Sequence, residues 1–248
     1  MKTYLLSVAM LLLAVSPGRA DLIENGGFEN FIIAGTDQNF GGFVRYFSPP
    51  ANTDIAGWTI SGTSGGNPNS VDLVNNTGYP PFEGKQSLDM EGAVGASGVI
   101  FQSFATTPGD VYDLSFEYAN NPFGAGGTMN VLVTGTGTLL NQDVTHNGST
   151  GFNMNYKLFS ADFIADSAKT TLQFAATTNS GFGVELDAVS VNSAGPPTAV
   201  PEPASVGPLG AGFGCPSVRY PSPAIFGPLN FSIDRVSVST LSGGSVRG

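Results

Sequence analysis

Through the middle of this chain apolar and polar residues alternate one by one, and that period of two narrows its fold more than any other feature. In the run Val111 to Ala119, Tyr112, Leu114, Phe116 and Tyr118 fall on one side and Asp113, Ser115 and Glu117 on the other. Successive side chains point to opposite faces only in an extended strand, so this is a strand with one face buried. Met129, Val131 and Val133 repeat the pattern, as do Leu172, Phe174 and Ala176. Ile100, Gln102 and Phe104 alternate too, ahead of a Pro108-Gly109 stop. Between Asp21 and Asn192 no stretch carries apolar residues at i, i+3, i+4 and i+7 over the length of a helix.

The joints between these runs are rich in Gly, Asn and Pro. The chain carries 34 Gly and 17 Pro in 248 residues, residues that supply or pre-set the backbone angles of tight turns. Short strands with such joints predict an all-β fold, an antiparallel β-sandwich of jelly-roll type over residues 21–193. Its two sheets should bury Tyr112, Leu114, Phe116, Leu172, Phe174, Leu186 and Trp58 between them. One irregularity is legible. Val184 and Leu186 set one phase, Val189 and Val191 the opposite one, so the strand slips at Asp187-Ala188 as at a bulge.

The two ends differ from this middle. Residues 1–20 read as a signal peptide: Lys2, an apolar stretch from Tyr4 to Val15, then Gly18 and Ala20 at the positions a peptidase inspects. The folded product is therefore expected outside the cytoplasm, secreted or at a bacterial cell surface. Residues 194–205 form a Pro-rich linker and 206–248 a Gly/Pro/Ser-rich tail outside the domain. Cys215 is the single cysteine, so neither an internal disulfide nor a Cys-based zinc site can form. Net charge is −10, but only 11% of residues are charged and nine are Lys or Arg. Nucleic acid, which needs clustered cations, is not an expected partner.

For catalysis the inventory is thin. His146, the only histidine, sits in the turn-like Thr145-His146-Asn147-Gly148-Ser149 and reads as a solvated loop residue. The pairs Asp113/Glu117 and Asp89/Glu91 read as the polar side of half-buried strands rather than as a glycosidase pair. No enzyme activity is expected. For binding, Tyr46, Phe47, Tyr79 and Phe82 stand beside the Pro-rich turns Phe47-Ser48-Pro49-Pro50 and Tyr79-Pro80-Pro81-Phe82, as candidates for an exposed glycan-contacting rim. Scattered surface aromatics need no ligand to explain them, and both readings stay open here.

Six motifs in order then carry a resemblance: Asn25-Gly26-Gly27-Phe28-Glu29; Ala56-Gly57-Trp58-Thr59-Ile60; Ser70-Val71-Asp72-Leu73-Val74; Gly84-Lys85-Gln86-Ser87-Leu88-Asp89-Met90-Glu91-Gly92; Gln102-Ser103-Phe104-Ala105-Thr106-Thr107-Pro108-Gly109; and Glu185-Leu186-Asp187-Ala188-Val189-Ser190-Val191. Over residues 22–192 the chain resembles the choice-of-anchor C family of bacterial surface proteins. That family is related to plant cell-wall proteins and, more distantly, to calcium-stabilised carbohydrate-binding modules of the galactose-binding-like fold. The resemblance implies a structural calcium held by Glu29, Asp187 and the Lys85 carbonyl oxygen, pinning the two ends of the sandwich together. The same two acids also read as plain turn and edge residues.

Val200-Pro201-Glu202-Pro203-Ala204-Ser205 resembles the start of a PEP-CTERM sorting signal, which implies exosortase-type sorting machinery as a partner. Beyond Ser205, however, neither the apolar run of about 20 residues that a span needs nor a terminal Arg cluster follows. The expected reading is a degenerate motif, with residues 206–248 arising from a shifted reading frame and no stable membrane span in the mature chain. Function is then expected to be a structural or adhesive role at the surface or in the extracellular matrix. The alternative is a carbohydrate-binding module for extracellular polysaccharide.

Overall fold

The computed structural model describes residues 20–64 and 67–197. The signal peptide, the sorting motif at Val200, Pro201, Glu202 and Pro203, and the tail lie outside the described residues, except for Ala20. Among the described residues all regular structure is strand, and no helix is long and apolar enough to cross a membrane. In chain order the strands are β1 (Gln38–Asn39), β2 (Phe43–Ser48), β3 (Thr59–Ile60), β4 (Thr63–Ser64), β5 (Asn67–Asn75), β6 (Gln86–Asp89) and β7 (Val99–Ala105). They continue with β8 (Val111–Asn120), β9 (Gly127–Thr134), β10 (Thr138–His146), β11 (Lys157–Ile164), β12 (Lys169–Ala176) and β13 (Val184–Gly195).

They form two antiparallel sheets, so the fold is the expected all-β sandwich. The larger runs β1-β2-β5-β6-β13-β8-β11, with β4 paired to β5, and the smaller runs β10-β9-β12-β7-β3. Between them lie the residues that alternation assigned to the interior: Leu114, Phe116, Leu172, Phe174 and Leu186 are wholly buried, and Tyr112 and Trp58 nearly so. Phe116 meets Phe174 edge-on at 5.1 Å, and Trp58 is wedged between Phe28 and Phe174 at 5.5 and 6.0 Å. The indole is satisfied as well, its Nε1–H donating to the Asn25 carbonyl at 3.1 Å. Trp58 is thus core and not a sugar platform.

Strand β13 is the spine of the larger sheet. Its register against β8 breaks between Asp187 and Ser190, where Ala188 takes φ of 50°. This is the bulge foreshadowed by the change of phase, and it lets Leu186 and Val189 both face inward. The strand also runs to Gly195, pairing Ser193 with Tyr112 and Gly195 with Val111, two residues beyond the expected end of the domain at 193. Residues 21–26 lie along β13, with Leu22 N–H donating to Val191 O and Val189 N–H to Gly26 O. A methyl group on Gly26 would come within 1.9 Å of the Val189 carbonyl oxygen, so the close approach admits only glycine.

His146 departs from expectation. It ends β10 and is 1% exposed, with Nδ1 accepting from Asn120 N–H at 3.1 Å and Nε2 donating to the Asn155 carbonyl at 2.8 Å. The strand does end at this residue, but the ring folds inward, and burial lowers its pKa.

Candidate functional site

The outward face of the larger sheet is where the chain spends its buried charge. Alternation in β2, β5, β6 and β13 sends Val44, Tyr46, Val71, Leu73, Leu88 and Leu186 to the core, and so turns Arg45, Asp72, Asp89 and Glu185 the other way. Strand register then sets these four in one row: Arg45 opposite Asp72, Asp72 opposite Asp89, Asp89 opposite Glu185. Directly opposed residues on one face stand about 5 Å apart, and like charges so placed destabilise a sheet. Three acids with one cation in such a row are costly to fold.

The row is held by a defined set of hydrogen bonds. Arg45 grips Asp72 with both prongs of its guanidinium, Nε to Oδ1 at 2.8 Å and Nη2 to Oδ2 at 2.7 Å. Asp89 accepts from Asn121 Nδ2 at 2.7 Å and from the N–H groups of Glu91 and Gly183 at 2.8 and 2.9 Å. Glu185 accepts from the Tyr79 hydroxyl and, at 3.0 Å, from Ser87 Oγ. Burial pushes the Asp89 carboxyl up to about 8, against the pull of its three donors. Burial likewise holds Glu185 well above the usual range, and the charge of Asp89 adds to it. Asp72 is raised by burial too, partly offset by Arg45.

Over this floor opens a groove of about 410 Å³, lined by Arg45, Asp72, Asp89 and Asn121 and walled by aromatic rings. Phe40, Phe123 and Phe182 stand 53%, 69% and 40% exposed around it. Phe40 and Phe43 stack at 4.7 Å, and the Arg45 guanidinium lies 5.5 and 5.4 Å from their centres. A small apolar cluster of Val74, Tyr79, Ala119 and Met154 supports the wall from the same face. Buried polar groups that fix orientation, with exposed flat rings above, are what a small hydroxylated ligand uses.

The sequence singled out only part of this. Tyr79 does line the groove, but its ring is 4% exposed and its hydroxyl is turned to Glu185. Tyr46 lies in the core phase of β2, fully buried, with its hydroxyl on the Ile32 carbonyl at 3.0 Å. The proline pair that suggested a loop tip comes after the strand and leaves its alternation intact. Phe47 and Phe82 line two separate shallow hollows, Phe47 beside Pro50 and Phe82 against Tyr156 at 5.7 Å. The pair Asp89/Glu91, read as solvent-side, is buried at 1% and 0% exposure. Both acids are enclosed because the 180–183 turn folds over them: Glu91 takes the Thr178 and Ser180 hydroxyls and the Ser180 and Gly181 N–H groups.

Glu29 and Asp187 both cap the loop ahead of β6, at different N–H groups, while the Lys85 carbonyl oxygen accepts from Asn76 N–H at 3.2 Å. Glu29 Oε1 accepts from the N–H groups of Lys85 and Gln86 at 2.5 and 2.9 Å. Asp187 Oδ2 accepts from Phe82 and Glu83 N–H at 2.9 and 3.0 Å, and Oδ1 from Ala188 N–H at 2.7 Å. The bulge at Ala188 aims Asp187 at this loop. No grouping of three or more His, Cys, Asp or Glu set to hold a metal occurs among the described residues. Calcium here would therefore draw on two carboxylates, whose lone pairs outnumber these N–H donors, and on backbone carbonyls.

The family model described as protein of unknown function (DUF642) matches residues 21–192. No curated protein sequence matches the chain. Among solved structures the chain is similar to TmCBM61 in complex with β-1,4-galactotriose, at 14% identity and a TM-score of 0.45, covering 70% of this chain and 99% of that one. It is similar to arabinose-bound MgGH51 α-L-arabinofuranosidase at 10% identity and a TM-score of 0.41, over 71% of this chain but 26% of that one. A family 35 carbohydrate binding module from Clostridium thermocellum follows at 19% identity and a TM-score of 0.36, over 48% and 86%.

Proposed function

The chain belongs to the DUF642 family of proteins of unknown function, and we propose that it is an exported glycan-binding protein whose ligand lies in the groove above the Arg45–Asp72–Asp89–Glu185 row. One observation carries the reading. A sheet face that only had to meet water would not bury three carboxyl groups in register, because each costs stability unless it is paired or protonated. Such cost is retained where a site needs it. Here the carboxyl groups and Asn121 offer acceptors and donors to hydroxyls, and Phe40, Phe123 and Phe182 offer faces to ring C–H groups.

A surface or matrix role is then what binding accomplishes, and no step of bond cleavage enters the proposal. Export rests on the leader-like residues 1–20, and sorting by exosortase-type machinery on the Val200-Pro201-Glu202-Pro203 motif. Calcium at Glu29, Asp187 and the Lys85 carbonyl is proposed as a structural tie only. It would bridge the N-terminal turn, the loop before β6 and the bulge of β13, supplying positive charge to two carboxylates whose hydrogen bonds come from backbone N–H groups.

The test is native affinity electrophoresis of the full chain through gels containing soluble polysaccharides, beside the Phe123→Ala variant. Retardation by at least one glycan, weakened by the substitution, is the expected result. Equal mobility in every gel sinks the proposal.

A further inference from the structure

Of the ionisable side chains that line the groove, one is a cation, and its charge is already committed. Arg45 gives Nε and Nη2 to Asp72 in a bidentate pair, and its guanidinium lies against Phe40 and Phe43. Asp89 is held by an amide and two backbone N–H groups, not by a cation. Behind the Tyr79 ring stands a third acid, Glu185. The rim rings Phe40, Phe123 and Phe182 carry neither charge nor donor.

We infer that the groove selects a neutral, hydroxyl-bearing glycan segment and turns away one that bears uronate groups. This names the substrate class of the site and rests on the glycan reading given above. A sugar carboxylate entering the groove would shed water, which is costly for a carboxylate left unpaired. It would then meet a guanidinium whose charge is already balanced by Asp72 on its Nε–Nη2 edge, with two further carboxyl groups beside it. Charges a few ångströms apart in a poorly hydrated site interact far more strongly than in water. The outcome is the same whether or not Asp89 holds its proton, since neither form supplies positive charge. Hydroxyls meet the opposite situation: Asp72 and Asp89 accept from them, and the phenyl faces cover C–H surfaces without regard to charge.

The experiment starts from the neutral polysaccharide that retards the full chain most strongly and repeats the measurement after its primary hydroxyls are oxidised to carboxylates. Backbone and length are kept; only charge changes. Affinity is expected to fall roughly tenfold or more, the equivalent of one hydrogen-bonded charge left without a partner. An oxidised polymer that binds equally or better, or retardation by uronate polymers alone, overturns the selectivity and leaves glycan binding standing. Retardation by no polymer, neutral or acidic, overturns glycan binding itself. Asp72→Asn supplies a second reading: once the guanidinium is released, the neutral-to-oxidised ratio should narrow several-fold. An unchanged ratio in the folded variant rules out the committed guanidinium as its cause. If that variant does not fold, the neutral-against-oxidised comparison on the parent chain decides the selectivity by itself.

Discussion

Asp89 on β6 and Glu185 on β13 are direct ladder partners, and their side chains are buried at 1% and 0% exposure. Two carboxylates so placed cannot both ionise cheaply, so the folded chain retains protons that the unfolded chain releases. Folding and pH are coupled through this pair, and the coupling has a definite sign.

A carboxyl raised from 3.8 to about 8, as Asp89 is, gives stability that is fully present below the unfolded value and lost as pH rises through the folded one. Asp187, raised to about 7, acts in the same direction. His146 is lowered from 6.5 and acts oppositely, but only below that value. Between about pH 6.5 and about pH 8 the thermal midpoint should therefore fall, each group costing at most ~1.4 kcal/mol per pH unit inside its window. Asp89→Asn should flatten the fall. A midpoint that climbs across this range in calorimetry contradicts the buried row.

The rim can be separated from the scaffold by mutation. Phe40 and Phe123 are more than half exposed, so truncating either to Ala should leave the thermal midpoint within experimental scatter. Glycan affinity should drop by a factor of about 5 to 30, the usual range for a contact aromatic. Phe82→Ala, in the neighbouring hollow beside Tyr156, should change neither. Loss of binding in Phe82→Ala with retention in Phe123→Ala would move the ligand to that hollow.

Phe174 makes the contrasting case, since its ring is fully buried and touches both Phe116 and Trp58. Phe174→Ala should cost about 3–5 kcal/mol of unfolding free energy, read by denaturant titration, where a loss below ~1 kcal/mol would place the ring outside the core.

The difference between these positions tracks what could be read in the sequence. Period two told which residues of β7, β8, β9 and β12 share a face, and the core followed. The phase change at Asp187-Ala188 likewise announced the bulge. What it could not tell is whether the polar face is covered. Asp89 was read as solvent-side because alternation assigns a face, not an exposure; Asp72 and Glu185 drew no reading, and the row exists only through the register of four strands. A local signal was present: Val71-Asp72-Leu73, Leu88-Asp89-Met90 and Val184-Glu185-Leu186 each set an acid between bulky apolar neighbours. Tyr46 was misread for a related reason, since proximity to prolines outweighed its place in the Val44-Tyr46-Ser48 phase.

Gly26 offers a test of how the N-terminal segment is fixed to β13. Because an added methyl would overlap the Val189 carbonyl oxygen, Gly26→Ala must displace residues 21–26 or the strand. A loss of about 1–3 kcal/mol is expected, as for other overpacked sites. Gly151, where an added methyl meets nothing within 4 Å, is the control, and Gly151→Ala should stay within ~0.5 kcal/mol of the parent chain. Equal stability of the two variants in chemical denaturation would mean that this segment is not docked.

The calcium proposal is decided by linkage. Glu29 arrives from the N-terminal turn, Lys85 from the loop before β6 and Asp187 from the bulge, so an ion shared by them would bind the folded chain alone. Any such ligand raises stability by RT ln(1 + [L]/Kd), about 2.7 kcal/mol at a hundredfold excess over Kd. The thermal midpoint should thus rise with calcium and fall with chelator, and Asp187→Asn should abolish the difference. The alternative has its own signature: if the two carboxylates serve only to cap the N–H groups of Phe82, Glu83, Lys85 and Gln86, the substitution destabilises the chain equally in calcium and in chelator. A midpoint indifferent to both reagents in the parent chain removes the ion and leaves the caps.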